Sequence, residues 1–335
     1  MQFGLLYDFR NPPPWRVPAA QLYAETLAQI RAAEALGYDS IWVTEHHQID
    51  DGYLPSVLPA AASIATITQR VQIGTCVLLL PLHHPLRAAE DAVTVDILSN
   101  GRFLFGAGLG YKLDEFEAYG IDRRQRPSRM DESLEIITRA WTEERFDFHG
   151  KRFHLRDVRL TPKPVQQPRP PIWLAARSEP ALQRAVRYAD GIIAVGSADL
   201  IRQYREMVAA AGKDPAAAKV AVLRSLVLSD DAEATWREVQ PFAAWRGRNY
   251  AEWYGTAGDL PQDVEWLRRE RSGEGAGGQA RMVASVAEAT EEVAALAAIG
   301  VDCVIYFATL PGYPPGKLLP TWERFAHEVM PRFRS

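Results

Sequence analysis

One local phrase recurs along this chain: the end of a helical pattern, a glycine, then a short apolar run. Ala35-Leu36-Gly37-Tyr38-Asp39-Ser40-Ile41-Trp42 parallels Ala298-Ile299-Gly300-Val301-Asp302-Cys303-Val304-Ile305, and Tyr188-Ala189-Asp190-Gly191-Ile192-Ile193 is a looser third copy. Glycine just past a helix takes the left-handed conformation that ends it. An apolar run without alternation is a strand covered on both faces. Repeated pairs of helix and buried strand imply a parallel sheet, since each return to the sheet needs a crossover.

Strand patterns fall at 2–7, 40–44, 71–79, 103–107, 172–175, 191–195, 221–228 and 302–307. Helical patterns separate them at 19–36, 56–68, 85–98, 128–143, 179–188, 200–211 and 285–299, and another closes the chain at 320–333. Eight such units in 335 residues predict one α/β domain, a (β/α)8 TIM barrel with insertions. A doubly wound sheet has fewer strands and a glycine-rich first turn, which is not seen here. The insertions lie at about 145–171 and 232–283. The first holds a short aromatic hairpin-like stretch and a proline-rich run. The second carries Trp236, Trp245, Trp253 and Trp266 before the glycine-rich run 272–278. Within it, 255–283 is either a mobile lid over an active site or an ordinary surface loop.

Composition narrows the function classes. A formal charge of −4 leaves no basic excess to neutralise phosphates, which argues against a nucleic-acid binder. The only cysteines, Cys76 and Cys303, sit in apolar runs and read as reduced core residues. No apolar run is long enough to span a membrane, and the chain opens in a strand pattern rather than a signal peptide. The expected location is the cytoplasm.

The strand at 40–44 ends in Glu45-His46-His47, where parallel α/β folds place their chemistry. Adjacent side chains on a strand point to opposite sides, so one histidine faces a pocket as acid or base and the other packs on a hydrogen bond. A metal reading would pair them with His83-His84. Adjacent pairs do not give ligands on one face, so no metal is assigned. Gly106-Ala107-Gly108-Leu109-Gly110 either lets backbone approach a flat ligand or is simply a tight turn. Ser178 stands where a helix begins, either as a plain N-cap or as part of an anion site on the helix's free N–H groups. Arg129 could add a bidentate phosphate contact or lie on the surface.

Taken together, these segments resemble the bacterial luciferase-like superfamily of flavin-dependent oxidoreductases. The resemblance runs from Phe3-Gly4-Leu5-Leu6 through Glu45-His46-His47, Ile73-Gly74-Thr75, His84-Pro85-Leu86-Arg87 and Ser99-Asn100-Gly101-Arg102-Phe103 to Glu328-Val329-Met330-Pro331. It implies reduced FMN, or alternatively deazaflavin F420, at the C-terminal face of the barrel. It assigns His46 to the reactive centre. It places Glu45, Cys76, Val77, Gly108 and Leu109 around the flavin, with a non-prolyl cis peptide at Cys76-Val77. It puts Arg129, Arg177, Ser178 and Ala181 at the phosphate, and makes 255–283 the lid. Bacterial luciferase has a Cys-Arg pair where this chain has Gly108-Leu109, so light emission is not implied. Ala176-Arg177 stand where many relatives have glycines.

The expected activity is a flavin-dependent monooxygenase acting on a small organic substrate with O2, with FMNH2 supplied by a separate flavin reductase. The alternative is an F420-dependent oxidoreductase that transfers hydride. A metal-dependent barrel hydrolase and a non-catalytic flavin-binding protein are further alternatives. A homo-oligomer, a dimer by resemblance, is expected, with neither nucleic-acid nor membrane partners.

Overall fold

The protein is described here from a computed structural model, covering residues 1–194, 197–257 (backbone alone for 255–257) and 282–334. Eight parallel strands close into a barrel: β1 Gln2–Tyr7, β2 Ser40–Val43, β3 Gln72–Thr75, β4 Phe103–Ala107, β5 Ile172–Ala175, β6 Gly191–Ala194, β7 Lys219–Arg224 and β8 Cys303–Phe307. Each strand pairs with its neighbour in the chain. The ring closes where Gln2 of β1 meets Cys303 of β8. The fold is a (β/α)8 barrel.

The connecting helices are α1 Ala19–Ala35, α2 Val57–Ile67, α3 Pro85–Leu98, α4 Leu113–Ala118, α5 Arg126–Thr142, α6 Glu179–Tyr188, α7 Ala198–Ala210, α8 Ala232–Ala257, α9 Val286–Ala298 and α10 Leu319–Arg324. Gly37 (φ 93°) and Gly300 (φ 86°) end α1 and α9 in the left-handed region, as the recurring phrase requires. In the third copy α6 ends on extended Ala189, and Gly191 instead opens β6.

The barrel interior is filled by Leu6, Trp42, Leu104, Trp173, Ile193 and Ile305 together with both cysteines. Trp42 lies edge-on to Trp173 with centroids 6.0 Å apart. Its indole occupies the space a Cβ at Gly74 would take, 2.2 Å from the ring. Cys76 and Cys303 are free thiols, and burial pushes both up, Cys303 to about 12.

Four stretches differ from the sequence expectation. The strand expected over 71–79 stops at Thr75. The Cys76–Val77 peptide is cis, and pairing resumes only at Leu78 opposite Ala107. There Thr75 Oγ1 donates to the Gly106 carbonyl at 2.6 Å and accepts its N–H at 2.9 Å, so a side chain replaces ladder bonds. The run 221–228 splits: Val227–Leu228 leaves the barrel and pairs with Val283–Ala284. The second insertion begins with the 26-residue helix α8 rather than a loop. The closing helix 320–333 is shorter as an α-helix, with a π turn at Phe325–Val329 and a 3-10 turn at Met330–Arg332. The hairpin expected in the first insertion is present, Phe146–His149 against His154–Val158. Most of the expected lid, with Trp266 and the 272–278 run, lies outside the described residues. Among the described residues no helix is long and apolar enough to cross a membrane.

Candidate active site

The chain leaves β2 at Val43 and sets Glu45, His46 and His47 at the C-terminal mouth of the barrel, all buried. The two histidines serve separate networks, as alternation along an extended stretch dictates.

Glu45 collects donors. Its Oε1 lies 2.9 Å from His47 Nε2 and 2.8 Å from His83 Nε2, and its Oε2 accepts the Leu79 N–H at 2.5 Å. Burial alone would raise this carboxyl, but the bonds from His47, His83 and Leu79 outweigh it and hold Glu45 at about 2. Burial works against the His83 cation, and Glu45 overcomes it, so His83 is raised. Tyr119 hydroxyl meets His47 Nδ1 at 3.1 Å. Both Glu45 oxygens bond within the protein, and the residue ties the β2 end to the segment after the cis peptide. His47 commits both ring nitrogens and His83 its Nε2 to this network. Among the described residues no group of three or more His, Cys, Asp or Glu is set to hold a metal.

His46 belongs to the second network. Its Nδ1 is 2.9 Å from Glu115 Oε1, and the same oxygen accepts the His47 N–H at 2.7 Å. An oxygen receiving a backbone N–H acts as acceptor, so Nδ1 carries hydrogen and Nε2 is left with its lone pair. Tyr111 hydroxyl sits 3.1 Å from Nε2. Burial pushes the Tyr111 phenol well above its ordinary value, so it stays protonated and donates. Tyr53 stands edge-on to the imidazole at 4.8 Å and Trp253 lies tilted against it at 5.0 Å. Water is largely excluded: His46 is only 5% exposed.

Beside this network the ends of β3, β4 and β5 form a floor. A Cβ at Gly108 would lie 2.5 Å from Val77 Cγ2 and 3.6 Å from Ala175 Cβ. A side chain at Gly108 would press on Val77, so these three residues lie close together at the strand ends. Leu109 is half-buried next to it.

Further round the mouth, Ser178 occupies the N-cap position of α6, but its side chain makes no capping bond. Ser178 is exposed and Ala181 half-buried in the following turn. Arg177 reaches inward: its Nη1 donates to Tyr254 hydroxyl at 2.8 Å, and Tyr254 stacks on Tyr111 with centroids 4.2 Å apart. Arg129 is held by Nε to the Pro81 carbonyl at 2.7 Å, with its guanidinium 5.0 Å from the Phe153 ring. Burial and then the neighbouring Arg152 lower Arg129, which marks a concentration of positive charge.

The luciferase-like monooxygenase profile matches residues 1–303. The chain belongs to this family. Among curated relatives, the oxygenase component of a flavin-dependent trigonelline monooxygenase from Acinetobacter baylyi is 32% identical over 169 residues, 50% of this chain and 47% of that protein. An F420-dependent glucose-6-phosphate dehydrogenase from Kineococcus radiotolerans is 34% identical over 195 residues, 54% of this chain and 57% of that one. The chain thus spans about half the length of these relatives. A solved structure, monooxygenase RslO1 from Streptomyces bottropensis, superposes with a TM-score of 0.86 at 23% identity over 100% of both chains, a likeness of fold. Oxidoreductases using flavin or F420 therefore surround this luciferase-like protein.

In this luciferase-like barrel the structure adds residues that sequence reasoning missed. Glu115 lies on the six-residue helix α4, too short for a periodic pattern to reveal. Tyr111 follows the glycine-rich run 106–110, where no sequence pattern marks it for the site. Tyr250, Trp253 and Tyr254 fall within the stretch read as an insertion. Their spacing of three and four residues was the available signal for a helix face.

Proposed function

We propose that this protein is the oxygenase of a two-component flavin-dependent monooxygenase, taking reduced FMN from a separate reductase and acting on a small organic substrate. The observation that carries the reading is the buried Glu115–His46–Tyr111 chain at the barrel mouth, with Val77, Gly108 and Ala175 close together at the strand ends. The residues fit the cofactor. The floor offers a face for a planar ring. Ser178, with a side chain uncommitted to its own helix, and the guanidinium of Arg129 are donors suited to a phosphate. When bound, FMNH2 would supply the electrons and the reaction with O2.

The chain's own groups then have defined tasks. His46 Nε2 can take a proton from substrate and return it, while Glu115 steadies the imidazolium through Nδ1–H. Tyr111 hydroxyl keeps that lone pair oriented until substrate arrives. Tyr53 and Trp253 keep water away, which protects reactive species from hydrolysis.

The trigonelline monooxygenase relative supports both O2 chemistry and a reductase partner. The F420-dependent relative keeps hydride transfer as a second reading. Anaerobic titration with FMNH2 and with reduced F420 separates them. Micromolar binding of FMNH2 with much weaker F420 binding supports the oxygenase, and the reverse order assigns the protein to hydride transfer.

A further inference from the structure

A connected line of side chains crosses the mouth of the barrel. It starts at Arg177, just past β5, and passes to Tyr254 on α8 and then to Tyr111 after β4. It ends on His46 after β2. Arg177 Nη1 donates to the Tyr254 hydroxyl at 2.8 Å, with the guanidinium 5.4 Å from that ring. Tyr254 and Tyr111 stack 4.2 Å apart with their planes 16° from parallel. The Tyr111 hydroxyl reaches His46 Nε2 at 3.1 Å. The Arg177 charge is felt across the strand ends: burial raises the Cys76 thiol and the Tyr111 phenol, and Arg177 draws both back.

The outer end of this line is the easiest to undo. Arg177 is exposed, whereas Tyr254 is buried and Tyr111 half-buried. Arg177 also directly precedes Ser178, the α6 N-cap whose side chain makes no capping bond. A guanidinium binds a phosphate through paired charge-assisted hydrogen bonds, which are stronger than one bond to a phenol. Tyr254 and an anion beside Ser178 would therefore compete for one cation. An anion shifts such an equilibrium because it gains Arg177 only in the state where Tyr254 has lost it.

We propose that Arg177 is a positioning residue with two alternative partners. Bonded to Tyr254, it holds the Tyr254–Tyr111 pair across the mouth and Tyr111 on His46. Bonded to the cofactor's phosphate, it releases that pair and frees the lone pair of His46 Nε2. The inference rests on the reading that places the phosphate at Ser178, and it makes His46 available only once that phosphate is seated.

The first test contains no flavin. Excess inorganic phosphate should shift the nitrogen-15 resonance of His46 Nε2 in the wild type and leave it unmoved in Arg177→Ala. Chloride at equal ionic strength should move neither. The second test titrates reduced FMN and reduced riboflavin anaerobically. Arg177→Ala should weaken FMN by about tenfold or more, while riboflavin binds as before or tighter. Arg177→Lys should keep part of the preference for FMN. Tyr254→Phe retains the stacked ring without the acceptor, and should tighten both ligands by about threefold or more. The proposal is overturned by a His46 signal that ignores phosphate in the wild type, by equal weakening of FMN and riboflavin in Arg177→Ala, or by wild-type affinities in Tyr254→Phe. Phosphate that moves His46 in a protein binding no FMN would uphold the exchange of partners and refute the cofactor reading. FMN binding beside a silent phosphate test would do the reverse.

Discussion

Glu115 Oε1 lies 2.9 Å from His46 Nδ1 although 69 residues separate them, and it also accepts the N–H of His47. One fully buried carboxylate therefore fixes both the tautomer of the imidazole and the backbone that carries it. The consequence is a single lone pair, on Nε2, directed toward Tyr111.

Removing that anchor should loosen the site without emptying it. Glu115→Ala is expected to lower kcat about 100-fold while flavin affinity stays near wild type. Glu115→Gln, whose amide oxygen accepts the same two bonds, should recover part of the loss. Nitrogen-15 shifts of His46 should show one tautomer in the wild type and a mixture in Glu115→Ala. A mixture already present in the wild type would contradict the assignment.

His46→Ala should reduce turnover at least about 100-fold with folding and flavin affinity retained. Turnover equal to wild type would take His46 out of the chemistry. Flavin binding that survives the substitution in a protein with no wild-type turnover would indicate a binding protein.

Ser178→Ala combined with Arg129→Ala should weaken FMN by about 100-fold and leave riboflavin, which lacks the phosphate, nearly unaffected. Isothermal titration with both ligands reads this directly. Equal weakening of the two would place the phosphate elsewhere.

The Glu45 network predicts a pH window for stability. Glu45 is depressed from 4.5 to about 2, so its contribution is full above 4.5 and fades as pH falls through about 2. His83 is raised above 6.5, so its contribution is full below 6.5 and fades as pH rises through its folded value. Wild type should therefore exceed Glu45→Gln most between pH 4.5 and 6.5, by on the order of 3 kcal/mol. Urea unfolding across pH measures it. An advantage that grows as pH falls below 4.5 would contradict the network.

Gly74→Ala should destabilise by about 1–3 kcal/mol, because its Cβ would enter the indole of Trp42 in the barrel interior. Thermal unfolding checks this, and an unchanged midpoint would mean that Trp42 can yield.

The barrel was legible because its signals are local. The glycines at 37 and 300 end helices, and uninterrupted apolar runs mark strands such as Phe103–Ala107 and Ile172–Ala175 at their observed bounds. Glu45-His46-His47 was legible by its place at a strand end. Glu115 was not, since its role depends on a contact across 69 residues, which no window of sequence contains. Helix α8 was hidden within a stretch read as an insertion, although its Trp253 packs against His46. Cys303 and Trp42 meet inside the barrel only after the ring closes. Ser178 was rightly placed at a helix start, but sequence could not show that its hydroxyl leaves the helix uncapped.

The most direct test of the account is to load the protein anaerobically with FMNH2, mix it rapidly with oxygenated buffer, and follow flavin absorbance in wild type and His46→Ala. The account predicts that bound FMNH2 is oxidised in two phases in the wild type, a transient absorbance preceding oxidised flavin, and that the substitution changes the lifetime of that transient. Oxidation in one phase, indistinguishable from free FMNH2 in both proteins, would contradict it.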